Sequence, residues 1–191
     1  FLLSFCQISY AGLFDFDPEA KFKEADYMVR IGRPIAADKL INDVIVYCKK
    51  KGDEVYLATA YYHYGNLLMF RLPEENYRQK NASHRVLGYV DKDVTFGNMA
   101  QKAMEYLDKA LALAKKHSMY DAASAICIKI GILQYTRFKD RTAACESFDH
   151  SLEYHLLFKK NNPGVKVILE EGFKSFEEYI AQAKYEVECQ K

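Results

Sequence analysis

The chain has 191 residues, enough for one domain with a real apolar core, and its 50% hydrophobic and 28% charged residues exclude a disordered polypeptide. With 27 Lys+Arg against 26 Asp+Glu the formal charge is +1, so no strong basic field exists to draw the chain to nucleic acid. Scarce Gly and Pro (9 and 4) favour long helices, while 15 Tyr and no Trp leave tyrosine to plug gaps between helices or anchor a partner.

Residues 1–16 open with FLLSFCQISYAGLF, apolar before any charge appears. The segment looks like the tail of a secretory signal peptide, with small residues at Ser9 and Ala11 where cleavage requires them. It carries no basic flank, and an apolar strand or helix packed on the body is the alternative. Asp17-Pro18-Glu19 then predicts a helix start: an N-cap, proline at the first helical position, an acid in the first turn. Phe22, Ala25, Met28 and Val29 follow at helical spacing up to Gly32. Pro34 opens a second helix, striped by Ala37, Leu40, Ile41, Val44, Ile45 and Cys48. It ends at Lys51-Gly52, where Lys49, Lys50 and Lys51 complement the helix dipole. Asp53 caps a third helix through about Phe70.

From Leu72 to Val94 no period is sustained, and residues 72–94 read as an insertion between helices, with room for a short strand or helix near Val86–Val90. Helicity returns over Thr95–Lys116, breaks at His117-Ser118-Met119, resumes over Tyr120–Arg137, and runs again from Lys139-Asp140 to Lys160. Asn161-Asn162-Pro163-Gly164 is the clearest stop. A last helix is predicted from Val165 to about Cys189, with Gly172 inside it. Seven helices in antiparallel order, with no convincing strand, make the chain all-α. No apolar stretch of about 18 residues is present to span a membrane.

Three of these helices share a spacing of small and large residues: Ala103, Leu107, Ala110; then Ala144, Phe148, Ser151; more loosely Ala37, Ile41, Val44. Each pairs with a helix of a second kind, patterned Leu57, Ala60, Tyr61, Tyr64 or Cys127, Ile130, Gly131, Gln134. Together these patterns resemble the tetratricopeptide repeat over about Ala20 to Asn161. The resemblance is degenerate: Gln134 stands for an aromatic, Ser151 for an alanine, and a repeat-ending proline occurs only at Pro163. It implies α-hairpins stacked as a right-handed superhelix, with small residues allowing close approach and Tyr64, Leu107 and Phe148 filling the holes. A plain helical bundle is the alternative.

No motif argues for catalysis. His63, His84, His117, His150 and His155 form no HExxH, and His150 and His155, five apart, share no helix face well. Glu170-Glu171 and Glu177-Glu178 read as a solvated face. Neither a Gly-rich phosphate loop nor a GxSxG elbow is present, so no catalytic residue, metal ligand or cofactor is expected. Of the five cysteines, Cys48, Cys127, Cys145 and Cys189 lie in apolar helical contexts and are expected as buried free thiols, and Cys6 lies in the apolar N-terminal segment; a disulfide stays open, because spacing does not assign one.

What remains is surface. In the repeat family resembled, the first helix of each pair lines a concave groove that takes a peptide. That places Tyr62, Asn66, Ile128, Ile132 and Tyr135 on the concave side, with Arg71, Lys129 and Arg137 near them as carboxylate partners. The expected organisation is an N-terminal segment at 1–16, helical repeats at 17–162 and a C-terminal capping helix at 163–191. The expected function is non-enzymatic binding of a protein or peptide, as an envelope assembly factor or a toxin-neutralising protein in the periplasm or outside the cell. A helical sensor domain with a tyrosine-lined small-molecule pocket, and a cytoplasmic location, are the alternatives.

Overall fold

The computed structural model describes residues 16–69, 89–165 and 172–189. The signal-peptide reading, Cys6, Arg71, His84, Glu170-Glu171 and most of the 72–94 insertion lie outside them. Among the described residues there are seven α-helices and no sheet: α1 (Pro18–Arg30), α2 (Pro34–Lys51), α3 (Glu54–Met69), α4 (Met99–Lys116), α5 (Tyr120–Leu133), α6 (Arg141–Asn161) and α7 (Phe176–Glu186).

The early boundaries follow from local chemistry. Asp17 accepts a hydrogen bond from the Ala20 N–H and Pro18 sits at the first helical position. Gly52 ends α2 at φ +69°, a left-handed conformation that costs glycine nothing. Asp53 and Asp140 each accept from a backbone N–H of the next helix, at 3.1 and 2.9 Å.

Elsewhere the boundaries move. The fourth helix begins at Met99 rather than Thr95, because Asn98 closes a turn: its Oδ1 accepts from the Thr95 N–H (2.8 Å) and its amide donates to the Asp93 carbonyl (2.7 Å). The α-helical part of the fifth helix stops at Leu133, and Gln134–Phe138 continues it as one π turn ending on Lys139 at φ +58°. The last helix is much shorter than the predicted Val165–Cys189. Gly172 has φ +103°, which no right-handed helix contains. Ser175 then accepts from the Glu178 N–H while Glu178 accepts from the Lys174 N–H, a variant of the capping box that starts α7 at Phe176.

Each helix packs on its predecessor, and α1 touches α3 as α3 touches α5, so α1, α3 and α5 form a continuous row. The tightest hairpins are α3–α4 and α5–α6. In the first, a Cβ on Gly65 would sit 2.8 Å from Leu107 Cγ and 3.2 Å from the Ala103 carbonyl; in the second, one on Gly131 would sit 3.0 Å from Phe148 Cε1 and 3.2 Å from the Ala144 carbonyl. Absent side chains at these two points let the helices close. Ser151, which stands for an alanine, is fully buried and trades hydrogen bonds with Ser124: each hydroxyl donates to the other's backbone carbonyl, at 2.9 and 3.0 Å.

One large apolar cluster joins α1 through α5, and Tyr89 and Val94 from the end of the insertion are buried in it. A second, smaller cluster lies where α7 covers α5 and α6. There the expectation of free thiols fails for two cysteines: Cys145 and Cys189, 44 residues apart in sequence, form a disulfide, because the α7 turn brings their Cα atoms to 5.7 Å. Cys48 and Cys127 are free and buried.

Candidate functional site

The candidate partner-binding residues divide between α3 and the end of α5. On α3, Tyr62 and Asn66 are half-buried one turn apart. Tyr62 packs its ring edge against His63 (5.8 Å between centroids), and His63 stacks on Phe22 of α1 at 4.3 Å. The His63 Nδ1 lies 3.5 Å from Asp26 Oδ1. Burial holds the His63 imidazole below its ordinary pKa, with the Asp26 carboxylate opposing the shift. Nearby Tyr27 of α1 is 52% exposed. The α1–α3 part of the row thus presents aromatic rings beside carboxylates.

On α5 the outcome differs by residue. Ile128 is only 9% exposed and packs with half-buried Ile132 in the cluster under α7. Lys129 is half-buried. Tyr135, 38% exposed, and half-buried Arg137 fall in the π turn, where the wider helical step changes their direction from that of a continuous α-helix. Because α3 and α5 touch, Tyr62, Asn66 and Tyr135 belong to neighbouring helices of one row.

A second feature gave no sequence signal: a buried polar node that pins the return of the insertion. Asp38 of α2 is fully buried. Its Oδ1 accepts from the Tyr64 hydroxyl (2.7 Å) and the Asn42 amide (3.2 Å), and its Oδ2 accepts from the Val90 N–H (2.8 Å). One residue on, Asp91 accepts from the Tyr106 hydroxyl of α4 at 3.0 Å and lies 3.8 Å from Lys102 Nζ. Desolvation raises the Asp38 pKa, while the bonds from Tyr64 and Val90 favour its charged form and pull it back. Burial, then the neighbouring carboxylates, raises both tyrosine hydroxyls. Every polar atom here is engaged, so the node does structural work: it ties a backbone 52 residues downstream onto α2.

Burial pushes the Cys127 thiol up to about 11 and raises Cys48 as well, leaving both protonated at neutral pH. Among the described residues no group of three His, Cys, Asp or Glu could hold a metal ion, and no helix is long and apolar enough to cross a membrane.

Sequence reasoning missed three features. Gly65 makes the contact in α3 that the Leu57–Tyr64 spacing assigns to Tyr61, four residues earlier; a glycine followed by buried Leu67 and Leu68 was the available signal. Asp38 carries no signal in its own segment, and the Cys145–Cys189 pair has no spacing signature. Comparison of this chain with protein-family models, curated proteins and solved structures found no match.

Proposed function

We propose that the chain is a non-enzymatic, tetratricopeptide-like interaction module, stacked as a right-handed superhelix, that binds a protein or peptide along the row of α1, α3 and α5. The observation that carries this reading is one contact made twice. In successive hairpins a glycine of the first helix meets the large residue of the second and the carbonyl of the alanine four residues before it: Gly65 with Leu107 and Ala103, then Gly131 with Phe148 and Ala144. Repetition of a specific hairpin closure is what a stacked repeat requires and a plain bundle does not. Contacts between alternate odd helices fit a stack that curves with those helices inside.

In this reading Tyr62, Asn66 and Tyr135 supply the apolar and hydrogen-bonding contacts, while Lys129 and Arg137 meet carboxylates of the ligand. The role is that of an envelope assembly factor or a toxin-neutralising protein. A location outside the cytoplasm is supported by the Cys145–Cys189 bond, of a kind that persists in oxidising compartments. Mass spectrometry of the exported chain is then expected to find its first residue at Gly12.

Affinity capture from the native host tests the binding face. A Tyr62→Ala, Tyr135→Ala double variant is expected to lose the captured partner while its helicity and Tm stay unchanged. Undiminished capture would remove this face from the mechanism, and loss of fold would return both tyrosines to the core.

A further inference from the structure

The last helix is tied to α6 along its whole length, antiparallel to it. Lys159 lies 3.5 Å from Glu177, His155 stacks on Phe176 at 4.0 Å, Lys184 bonds Asp149, and Arg141 lies 3.5 Å from Glu188. The disulfide from Cys145 to Cys189 closes the far end. Facing inward, Phe176, Ile180 and Val187 follow the i, i+4, i+11 spacing of one helix face, over Ile128 of α5 and Phe148 and Leu152 of α6. The ion pairs involve partly exposed side chains and are individually weak. At 11 residues, α7 is too short to hold its helix once undocked. Occupancy of the seam therefore depends on the covalent bond more than on any one contact.

We infer that the α5–α6 seam is a helix-receiving site, filled in cis by α7 while Cys145–Cys189 is oxidised and open to a partner's helix once that bond is reduced. The occupant it fits is written in α7 itself and in the charges of α6. It is an amphipathic helix with an apolar stripe at α7's spacing, an acid in the first turn to meet Lys159 and a lysine seven residues on for Asp149, followed just past the helix end by a second acid for Arg141. Opening is a two-electron exchange with a dithiol. One reductant thiolate attacks a disulfide sulfur, the Cys145–Cys189 bond breaks, and a mixed disulfide forms. The reductant's second thiolate then displaces the protein sulfur, leaving two protein thiols and a cyclic oxidised dithiol. This inference goes beyond the binding face proposed above and uses neither Tyr62 nor Tyr135, so either can fail without the other.

A trapping experiment decides it. The full chain carrying Cys6→Ser and Cys189→Ser keeps Cys145 as a free thiol, with Cys48 and Cys127 buried. It is offered a peptide of residues 172–189 whose Cys189 is activated as a 2-thiopyridyl disulfide. Attack by the Cys145 thiolate on the peptide sulfur forms the protein–peptide bond, breaks the activated one and releases thiopyridone, which is read by absorbance. Trapping is expected at least tenfold faster than for the same peptide with Ile180→Lys, and none with the oxidised Cys6→Ser chain. Reduced Cys6→Ser protein, in which Cys189 also reacts, is expected to release thiopyridone faster with the native peptide than with Ile180→Lys, and circular dichroism checks the fold of each sample. Equal rates for the two peptides would reduce Cys145 to an ordinary exposed thiol, and no trapping of either would mean that α7 stays seated without its bond; both outcomes overturn the inference. A reduced chain that elutes as a dimer would overturn the assignment to a partner in favour of exchange between copies.

Discussion

Closing of the α3–α4 hairpin onto Gly65 can be tested by a double-mutant cycle with Leu107. In Gly65→Ala the new methyl would lie 2.8 Å from Leu107 Cγ and 2.9 Å from its Cδ2, with the Ala103 carbonyl at 3.2 Å. Leu107 is fully buried, and Cγ is its branch point, so neither it nor the α4 backbone yields cheaply. Such overpacking costs about 1–3 kcal/mol, against a gain of about 1 kcal/mol from replacing a mid-helix glycine. The expected net effect is a loss of about 0–2 kcal/mol. Leu107→Ala alone should cost about 2–5 kcal/mol. In that background the two Leu107 contacts are gone and the Ala103 carbonyl at 3.2 Å remains, so Gly65→Ala should become about neutral, giving a coupling of about 1–2 kcal/mol. Urea unfolding of the oxidised protein, followed by far-UV circular dichroism, measures all four corners. The same shift from Gly65→Ala in both backgrounds would refute the idea that this glycine sets the helix separation. Gly131→Ala should be milder, since the obstacle there is the edge of the Phe148 ring at 3.0–3.1 Å, which can tilt.

Two further outcomes follow from the buried groups. Tyr64→Phe deletes a hydrogen bond to the Asp38 carboxylate and should cost about 1.5–3 kcal/mol near pH 7. The Asp38 pKa is already raised in the folded chain, so its contribution to stability is full below the ordinary carboxylate range and declines as pH rises through the folded value. Losing Tyr64's bond raises that value further; the deficit of the variant should therefore grow between pH 4 and pH 7, and a deficit independent of pH would show that Asp38 is not its source. Reduction of Cys145–Cys189, or Cys145→Ser, should lower stability by about 4 kcal/mol, the chain-entropy value for a loop of this length. Unchanged urea midpoints in oxidised and reduced protein would exclude that contribution.

Most helices were legible because their ends carry their own chemistry. Asp17-Pro18, Gly52, Asp53 and Asp140 act on the backbone within four residues, so a short window holds the whole cause. Reading failed where the cause was remote or where two local signals competed. Gly172 reads as a tolerated interruption of a helix from Val165, although Ser175 and Glu178 three residues apart are the stronger start signal. The spacing of small and large residues is legible in α4 and α6, but in α3 Leu57 and Tyr61 mimic, one turn early, the pattern that Tyr61 and Gly65 fulfil. Of the proposed contact residues, Ile128 and Ile132 share one apolar cluster of the fifth helix, and a helix some 50 residues later covers it. Nothing near Asp38 announces Val90 as its partner, nothing near Cys145 announces Cys189, and Gln134–Phe138 reads as ordinary helix until packing adds its wider turn.

The late position of α7 has a consequence for biosynthesis. Phe148 leaves the ribosome 39 residues before Val187 does, an interval of about 2–8 s at typical elongation rates of roughly 5–20 residues per second. Throughout that interval the nascent chain displays a greasy stripe whose cover has not been made. During those seconds a holdase chaperone would find its best purchase on this chain, and a stalled or prematurely terminated message would release a product permanently prone to clumping.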